Sequence, residues 1–337
     1  MSGLLVGWNR VQDRIPPTAA RLFGVLFMVV ALYTLLLLSN ANARSVDTQQ
    51  TIAENLGYFG LPTLGVGILI VSGGIDLSIG SVVGLGAVCY GLMLEKQLSP
   101  WTAALIVLAG SAGVGLIHGL LVTKLRLQPF LVTLCGLFIY RGLAKWLSPD
   151  HSPGWHVEDA TALEHIRAFR ELFVGHIYGV PNQLVLMLLV AVVLGLFLHG
   201  TRHGRYLFAI GANEEAARYA GIPTGRYKVL AYVLCSMLAG LSSIVFLFYY
   251  DSAQPSSAGS WLELYAITGA VLGGCSLSGG EGSVPGMVLG AAVLPLLQQV
   301  CYSFNIKSEL EYAVIGAALL LGTISDELLK RRSSRRG

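Results

Sequence analysis

Long apolar runs separated by short polar segments extend along the chain from residue 22 to residue 329. The hydrocarbon core of a bilayer is about 30 Å thick, so a helix that crosses it needs about 20 mostly apolar residues. By this criterion the pattern predicts ten spans, at 22–39, 56–72, 77–94, 101–122, 129–147, 183–200, 229–250, 262–279, 284–304 and 310–329. We therefore expect an all-α, polytopic membrane protein with a single transmembrane domain over residues 1–337.

The first apolar run has some features of a secretory signal peptide. It follows three arginines and precedes an A-x-A sequence at Ala41 and Ala43. Its apolar core from Leu22 to Leu38 has 17 residues, which exceeds the roughly 7–15 of a typical signal-peptide core. We interpret it as an uncleaved helix that follows a cytoplasmic N-terminal segment, residues 1–21.

Composition supports a membrane protein and excludes several other classes. Hydrophobic residues make up 54% of the chain and charged residues only 12%, whereas a soluble domain carries about 25% charge. This argues against an ordinary soluble enzyme, a disordered chain and a coiled coil. The net charge of +3 gives no support for nucleic-acid binding. Neither the five cysteines nor the histidines match the spacing of a metal site, so none is predicted.

Basic residues are distributed unevenly between the two predicted sides. Ten spans place both termini on one side, where 15 lysines and arginines lie, against 5 in the loops of the opposite side. An excess of basic residues marks the cytoplasmic side of a membrane protein. The chain is thus expected to have cytoplasmic termini, a basic tail at 330–337, a cytoplasmic loop at 201–228 and a periplasmic loop at 148–182.

The periplasmic loop has the pattern of an ordered segment. Thr161 and Glu164 form a T-x-x-E capping box, which marks the start of a helix, and Gly175 is suited to end it. The apolar residues between them recur at helical spacing, at Leu163, Ile166, Phe169 and Phe173. We expect an amphipathic helix on the outer membrane surface, which either covers the helix ends or serves as a platform for an external partner.

The cytoplasmic loop contains the pattern of a two-turn helix. Asn213 is a favourable N-cap, and Glu214 and Glu215 lie in the first turn, where acidic residues suit the helix dipole. Arg218 lies near the end of the helix, and Gly221 follows it. Isolated helices this short are marginal in water, so packing on this protein or on a partner should hold it. A face of small side chains permits close approach of another backbone: Ala216, Ala217 and Ala220.

Two glycine-rich turns at the predicted inner face resemble each other. The first reads Gly73-Gly74-Ile75-Asp76-Leu77-Ser78-Ile79-Gly80 and the second reads Ser278-Gly279-Gly280-Glu281-Gly282-Ser283. Each opens a helix with two glycines four residues apart, Gly80 and Gly84 in the first, Gly282 and Gly286 in the second. This is a weak internal repeat of the kind found in transporters.

Asp76 is the candidate functional acid of the first turn. Ionisable residues at membrane depth are rare and are candidates for functional roles. An aspartate before Leu77-Ser78-Ile79 is also a natural N-cap for the third span. The sequence leaves both roles open, N-cap and substrate contact, and the two are compatible.

Several catalytic and energy-coupling motifs are absent from the sequence. It contains no G-x-x-x-x-G-K-[ST] loop, so this chain is not expected to bind ATP through a P-loop. An ion-coupled secondary transporter would need midplane carboxylates or broken helices, and only Asp76 comes near that pattern. A membrane-embedded enzyme would need a cluster of reactive side chains at one depth, which the sequence does not indicate.

The turns and the cytoplasmic loop resemble the permeases of ribose/xylose/galactofuranose-type (monosaccharide) ATP-binding-cassette (ABC) transporters. Residues 73–80 resemble the hallmark turn of that family, 202–222 its loop that docks on the ATPase, and 273–286 its third motif. The resemblance covers about residues 20–330. It is specific for the family but not for a substrate, and an autoinducer-like solute is an alternative to a monosaccharide.

The resemblance implies how the chain would work. A separate ATPase subunit would bind ATP and Mg, so this chain would be neither an enzyme nor the holder of a cofactor. Its other partners would be a periplasmic or surface sugar-binding protein, a second permease copy and membrane lipid, in the bacterial cytoplasmic membrane. The implied ATPase-coupling residues are Gly211, Asn213, Glu214, Glu215, Ala216, Ala217, Arg218 and Gly221. The implied translocation residues in the turns are Gly73, Gly74, Asp76, Ser78, Gly80, Gly279, Gly280 and Gly282.

Overall fold

The structure is a computed structural model that describes residues 17–39 and 41–307, together with 310, 313, 314, 316, 317 and 320. The basic tail, the first 16 residues and most of the tenth predicted span lie outside this part of the chain. The described part is almost entirely helical, as the apolar pattern predicts. Its α-helices are α1 Pro17–Ser39, α2 Val46–Val71, α3 Ile79–Glu95, α4 Pro100–Thr123, α5 Pro129–Leu147, α6 Ala160–Val174, α7 Asn182–Gly195, α8 Arg202–Ala212, α9 Glu214–Tyr219, α10 Thr224–Tyr250, α11 Leu262–Leu272 and α12 Val284–Ser303.

The remaining regular elements are short. A 3-10 turn, Ala41–Arg44, joins α1 to α2, and α7 continues as a π-helical segment, Leu196–Gly200. An antiparallel hairpin pairs β1 His176–Ile177 with β2 Val180–Pro181. Tyr178 and Gly179 at its tip both have positive φ, at 51° and 82°, as the two-residue turn of a twisted hairpin requires.

Seven helices are long and apolar enough to cross a membrane, counted over the described residues: α1, α2, α4, α5, α7 with its π-helical end, α10 and α12. Helix α3 has 17 residues and α11 only 11. At 1.5 Å per residue, α11 is about 16 Å long and is too short to cross the hydrocarbon core. The predicted span at 262–279 is therefore wrong, since its helix ends at Leu272 and a glycine-rich turn follows.

Helix α2 lies at the centre of the bundle. Every residue from Gly57 to Val71 is buried, and the helix packs on α10, α11, α12 and α7. By contrast, α1, α4, α5 and α7 leave most of their apolar surface exposed, which suits helices that face lipid. The bundle thus has a buried centre formed by α2, α10 and the short helices, with lipid-facing helices around it.

The outer helix α6 confirms the predicted end at Gly175 but begins earlier than expected. Its N-cap is Asp159, whose Oδ1 accepts a hydrogen bond from the Ala162 N–H at 2.9 Å, so Thr161 is not the N-cap. Ile166 and Phe169 are buried, and the Phe169 ring contacts that of Trp101 at 4.7 Å. The inner face of α6 therefore covers the outer ends of the neighbouring helices.

Candidate functional site

The short cytoplasmic helix α9 forms with the predicted caps. The Oδ1 atom of Asn213 accepts a hydrogen bond from the Ala216 N–H at 2.9 Å. At the other end, Gly221 adopts a φ of 81° and its N–H donates to the Arg218 carbonyl, while the Ile222 N–H donates to that of Ala217. These two bonds form a Schellman motif, in which a left-handed residue ends a helix. A polar N-cap and a glycine stop thus define a rigid two-turn element.

Charged side chains anchor α9 to the start of α10. Glu214 accepts a short hydrogen bond from the Lys228 ammonium and lies 3.6 Å from the Arg218 guanidinium. Partial burial would raise the pKa of Glu214. The hydrogen bond from Lys228 and the charges of Lys228 and Arg218 outweigh that effect, so the pKa lies below its ordinary value. The Glu214 carboxylate is therefore part of the attachment of α9 at neutral pH.

The opposite face of α9 is open to the cytoplasmic side. Only Ala217 of its six residues is buried. Glu215 and Arg218 are exposed, and the Tyr219 side chain is 91% exposed. An aromatic ring flanked by two opposite charges, none of them covered by this chain, is a surface suited to docking a partner.

Three glycines bring the cytoplasmic loop and both glycine-rich turns into direct contact. A Cβ atom at Gly279 would lie 2.9 Å from the Cα of Gly211 and 3.0 Å from the Cα of Gly73. These distances are shorter than real Cβ atoms tolerate, so the backbones approach here because side chains are missing. The Gly280 N–H also donates to the Val71 carbonyl at 2.9 Å. We call this contact of Gly73, Gly211 and Gly279 the glycine junction.

The start of α12 has a further attachment that the sequence did not indicate. The N–H of Val284, the first residue of α12, donates to Nε2 of His199 at 3.3 Å. His199 lies in the π-helical segment at the end of α7. Such segments are frequent at functional sites, because they turn side chains out of the helical register. The second turn is thus attached to both α7 and the glycine junction.

Asp76 is buried in the structure and caps its helix indirectly. The N-cap of α3 is Ser78, so the prediction that Asp76 occupies this position is wrong. Instead, Oδ1 of Asp76 accepts hydrogen bonds from the Ser78 N–H at 2.7 Å and the Ser78 hydroxyl at 2.6 Å. The Asp76 side chain has no exposed surface, so a solute cannot touch it in this conformation.

Gly80 and Gly84 of α3 face a segment of successive turns, residues 252–261, that precedes α11. The guanidinium of Arg141 donates to the Ala258 carbonyl of this segment at 2.6 Å. A side chain at Gly84 would collide with the same carbonyl and approach the Arg141 guanidinium. Non-helical backbone at membrane depth persists only where protein satisfies its polar groups, and Arg141 does so here. The contact of Arg141 with this segment was not recognised from the sequence, although an arginine inside an apolar run is a signal.

Comparison with known proteins gives the same picture. A family described as the permease component of branched-chain amino acid transport systems matches residues 48–322. The ribose import permease of Escherichia coli is 30% identical over 305 residues, which cover 90% of this chain and 92% of its own length. The chain belongs to this permease family. An autoinducer 2 import system permease of Photorhabdus temperata is 31% identical over 315 residues, with 92% of both chains covered.

Membership of this permease family confirms the resemblance inferred from the motifs and identifies the chain as a multi-pass inner-membrane protein. Another relative, the ribose import permease of Bacillus subtilis, is 34% identical over 267 residues, which cover 79% of this chain and 80% of its own length. Permeases of this kind work with a separate ATPase and a substrate-binding protein. The chain is accordingly not an enzyme, since ATP hydrolysis belongs to another subunit.

The predicted site residues form two connected groups. The residues from Asn213 to Gly221 lie on one small surface, and Gly211 in the preceding helix α8 meets Gly73, Gly279 and Gly280 at the glycine junction. Asp76, Ser78 and Gly80 lie deeper, at the start of α3. Gly74 contacts Leu69 of its own turn, and Gly282 contacts Cys275 and Val71. The structure thus joins the three sequence motifs through backbone contacts.

Proposed function

We propose that this chain is the permease subunit of an ABC importer that carries a monosaccharide into the cytoplasm by alternating access. In this proposal a partner ATPase, which binds ATP and Mg, docks on the exposed face of α9. The observation that supports the proposal is the glycine junction, since it links α8, which leads into the docking helix, to both turns without intervening side chains. A displacement of α9 would therefore move α3 and α12 directly.

The attachment of α9 suits such a role. The Glu214–Lys228 pair attaches α9 to α10, and Gly211 attaches α8 to the two turns. The loop at 201–228 would therefore move as a unit. Tight backbone packing transmits displacement, because packed interiors are not easily compressed. A sugar-binding protein would deliver the solute on the outer side, and a second copy of the permease would complete the pathway.

A monosaccharide is the substrate class favoured by the two ribose import permeases among the relatives. The alternative is an autoinducer-like solute, which the Photorhabdus relatives support. An ion-coupled secondary transporter is disfavoured by the family. The substrate can be tested by radiolabelled uptake in cells that express the permease with the ATPase and binding protein encoded beside it. Ribose-specific uptake supports a monosaccharide, and uptake of autoinducer 2 alone supports the alternative.

The docking face can be tested by replacing Glu215 and Tyr219 with alanine together. Both side chains are exposed and neither supports the Glu214 anchor, so the helix should remain in place. We expect loss of co-purification with the ATPase and loss of uptake. The matched control is Glu164→Ala with Tyr178→Ala in the outer loop, where both side chains are also exposed. Undiminished ATPase binding by the double alanine variant would contradict the coupling assignment.

A further inference from the structure

His118 and Asp76 form a buried pair that the sequence motifs do not include. His118 lies in α4 and is 2% exposed, and Asp76 is 0% exposed. The Nδ1 atom of His118 lies 3.6 Å from Oδ2 of Asp76. Among the described residues, neither atom has a hydrogen-bond partner. Two unpartnered polar atoms that face each other in a buried site require an explanation, because each would otherwise lose its interaction with water.

The other polar atoms of the two side chains are occupied. Oδ1 of Asp76 accepts two hydrogen bonds from Ser78, and Nε2 of His118 lies 2.9 Å from the Tyr140 hydroxyl of α5. These bonds fix the orientation of the His118 ring and of the Asp76 carboxylate. The remaining atoms, Oδ2 and Nδ1, are thereby directed at each other and at no third group.

His118 is the group that can neutralise Asp76 in this part of the described structure. Asp76 also interacts electrostatically with Tyr140 of α5, Tyr232 and Cys235 of α10, and Glu263 of α11. None of these four carries a positive charge. Burying a carboxylate is costly unless an opposite charge or a proton compensates it. A positive charge on the His118 ring, 3.6 Å from Oδ2, would provide this compensation, with Nε2–H donating to the Tyr140 hydroxyl.

We propose that His118 is a positioning residue for Asp76: as a charge pair across the 3.6 Å between Nδ1 and Oδ2, it holds the turn at residues 73–80 against α4 and α5. Most residues of these two helices are not buried, although α4 packs along α10 and α5 packs on α3. Through this pair, a movement that starts at the glycine junction would reach the lipid-facing side of the bundle. This consequence rests on the proposed transport function, whereas the pairing itself does not.

A double-variant cycle tests the pair on the full-length permease. The variants are His118→Asn, Asp76→Asn, the two together, and His165→Asn as a matched control at an exposed histidine. His118→Asn leaves the Asp76 carboxylate beside a neutral amide. Asp76→Asn is milder, since its Oδ1 atom still accepts from Ser78. The double variant removes the charge and lets two amides form a hydrogen bond.

Two measurements are made on each variant: the midpoint of thermal unfolding of the purified permease, and solute uptake in cells with its partners. We expect His118→Asn to lower the midpoint most and to reduce uptake at least about tenfold, as loss of one partner of a buried pair does. Adding Asp76→Asn to His118→Asn should recover most of the lost unfolding midpoint and most of the lost uptake. A double variant as impaired as His118→Asn, or more so, would overturn the proposal.

The test remains decisive if His118→Asn does not accumulate in the membrane. In that case, if Asp76 and His118 compensate each other's charge, the double variant should still accumulate in the membrane better than His118→Asn does. If neither variant accumulates, the pairing is overturned. The unfolding midpoint also separates the two proposals. A wild-type protein that takes up none of the tested solutes, with the midpoint recovered in the double variant, would contradict the proposed function and support the pair.

Discussion

The two ends of the bundle are held together by different kinds of contact. At the end predicted to be cytoplasmic, Gly73, Gly211 and Gly279 meet through bare backbone. At the end predicted to be periplasmic, the loop 148–182 is attached by the buried side chains of Ile166 and Phe169 and by polar pairs, including His151–Glu95 at 3.1 Å and His176–Glu54 at 3.5 Å. Backbone contacts are short and stiff, whereas exposed ion pairs are weak and are screened by salt. The first end is thus suited to transmit displacement, as the proposed function requires, and the second to hold a surface in place.

The largest effect should come from placing a side chain in the glycine junction. Gly279→Ala puts a Cβ atom within 3.0 Å of two neighbouring backbones, at a φ of 86°. The matched control is Gly179→Ala, which has a similar φ of 82° but open space around it. Both variants bear the left-handed strain of about 1 kcal/mol. Only Gly279→Ala should also separate the motifs, and we expect its uptake to fall by tenfold or more, an effect of about 1.4 kcal/mol or greater.

For Gly279→Ala and Gly179→Ala, the quantity to measure is uptake per permease molecule in the membrane. Equal uptake by the two variants would show that the strained backbone alone decides the outcome. It would also remove the main support for transmission through the junction.

The contrast between the two ends also shows how far the sequence could predict the molecule. Apolar runs located most helices, because a stretch of about 20 apolar residues has few other solutions. The run at 262–279 led to a wrong span, because hydropathy reports apolar content and not whether the helix is continuous. Gly273 and Gly274 fit the apolar pattern as well as leucines would.

The candidate site was predictable in its parts but not in its connections. Caps and stops marked α9 because they act over four residues and can be recognised locally. The contact between Gly73, Gly211 and Gly279 joins positions far apart in the chain, and no local signal reports it. His118 was not recognised either, since a lone histidine in an apolar helix gives no sign of the acid that it faces.

A second, smaller effect should distinguish the caps at the two ends. Asn213 and Asp159 each accept a hydrogen bond at 2.9 Å from a backbone N–H of the helix that follows. Replacing either with alanine should cost about 1 kcal/mol of local helix stability. Helix α9 has only six residues, so it should loosen, whereas α6 has 15 residues and a buried face. We expect Asn213→Ala to weaken ATPase co-purification severalfold and Asp159→Ala to leave it unchanged; equal effects would contradict the assignment.

A third effect follows from the lowered pKa of Glu214. A carboxyl whose pKa falls on folding stabilises the folded state above its unfolded-state pKa, and this contribution is lost as the pH falls through the lower folded value. The attachment of α9 should therefore be intact at neutral pH and weaken in acid, below the ordinary value of 4.5. Hydrogen exchange of the amides of Arg218 and Tyr219 should accelerate relative to the rest of the chain. Glu214→Gln should remove this acid-dependent step, and its persistence would assign the step to another group.

The smallest effect is expected at the periplasmic ion pair. His151 is 53% exposed and Glu95 is 31% exposed, and such pairs contribute about 0–1 kcal/mol. Glu95 also accepts a hydrogen bond from the Gly154 N–H at 3.1 Å, so His151→Gln is the cleaner change. It should lower the unfolding midpoint slightly at low salt, with a smaller difference at high salt, and leave uptake within about twofold. A loss of uptake comparable to that of Gly279→Ala would mean that the periplasmic end also transmits movement, because a weak, screened contact cannot otherwise have so large an effect.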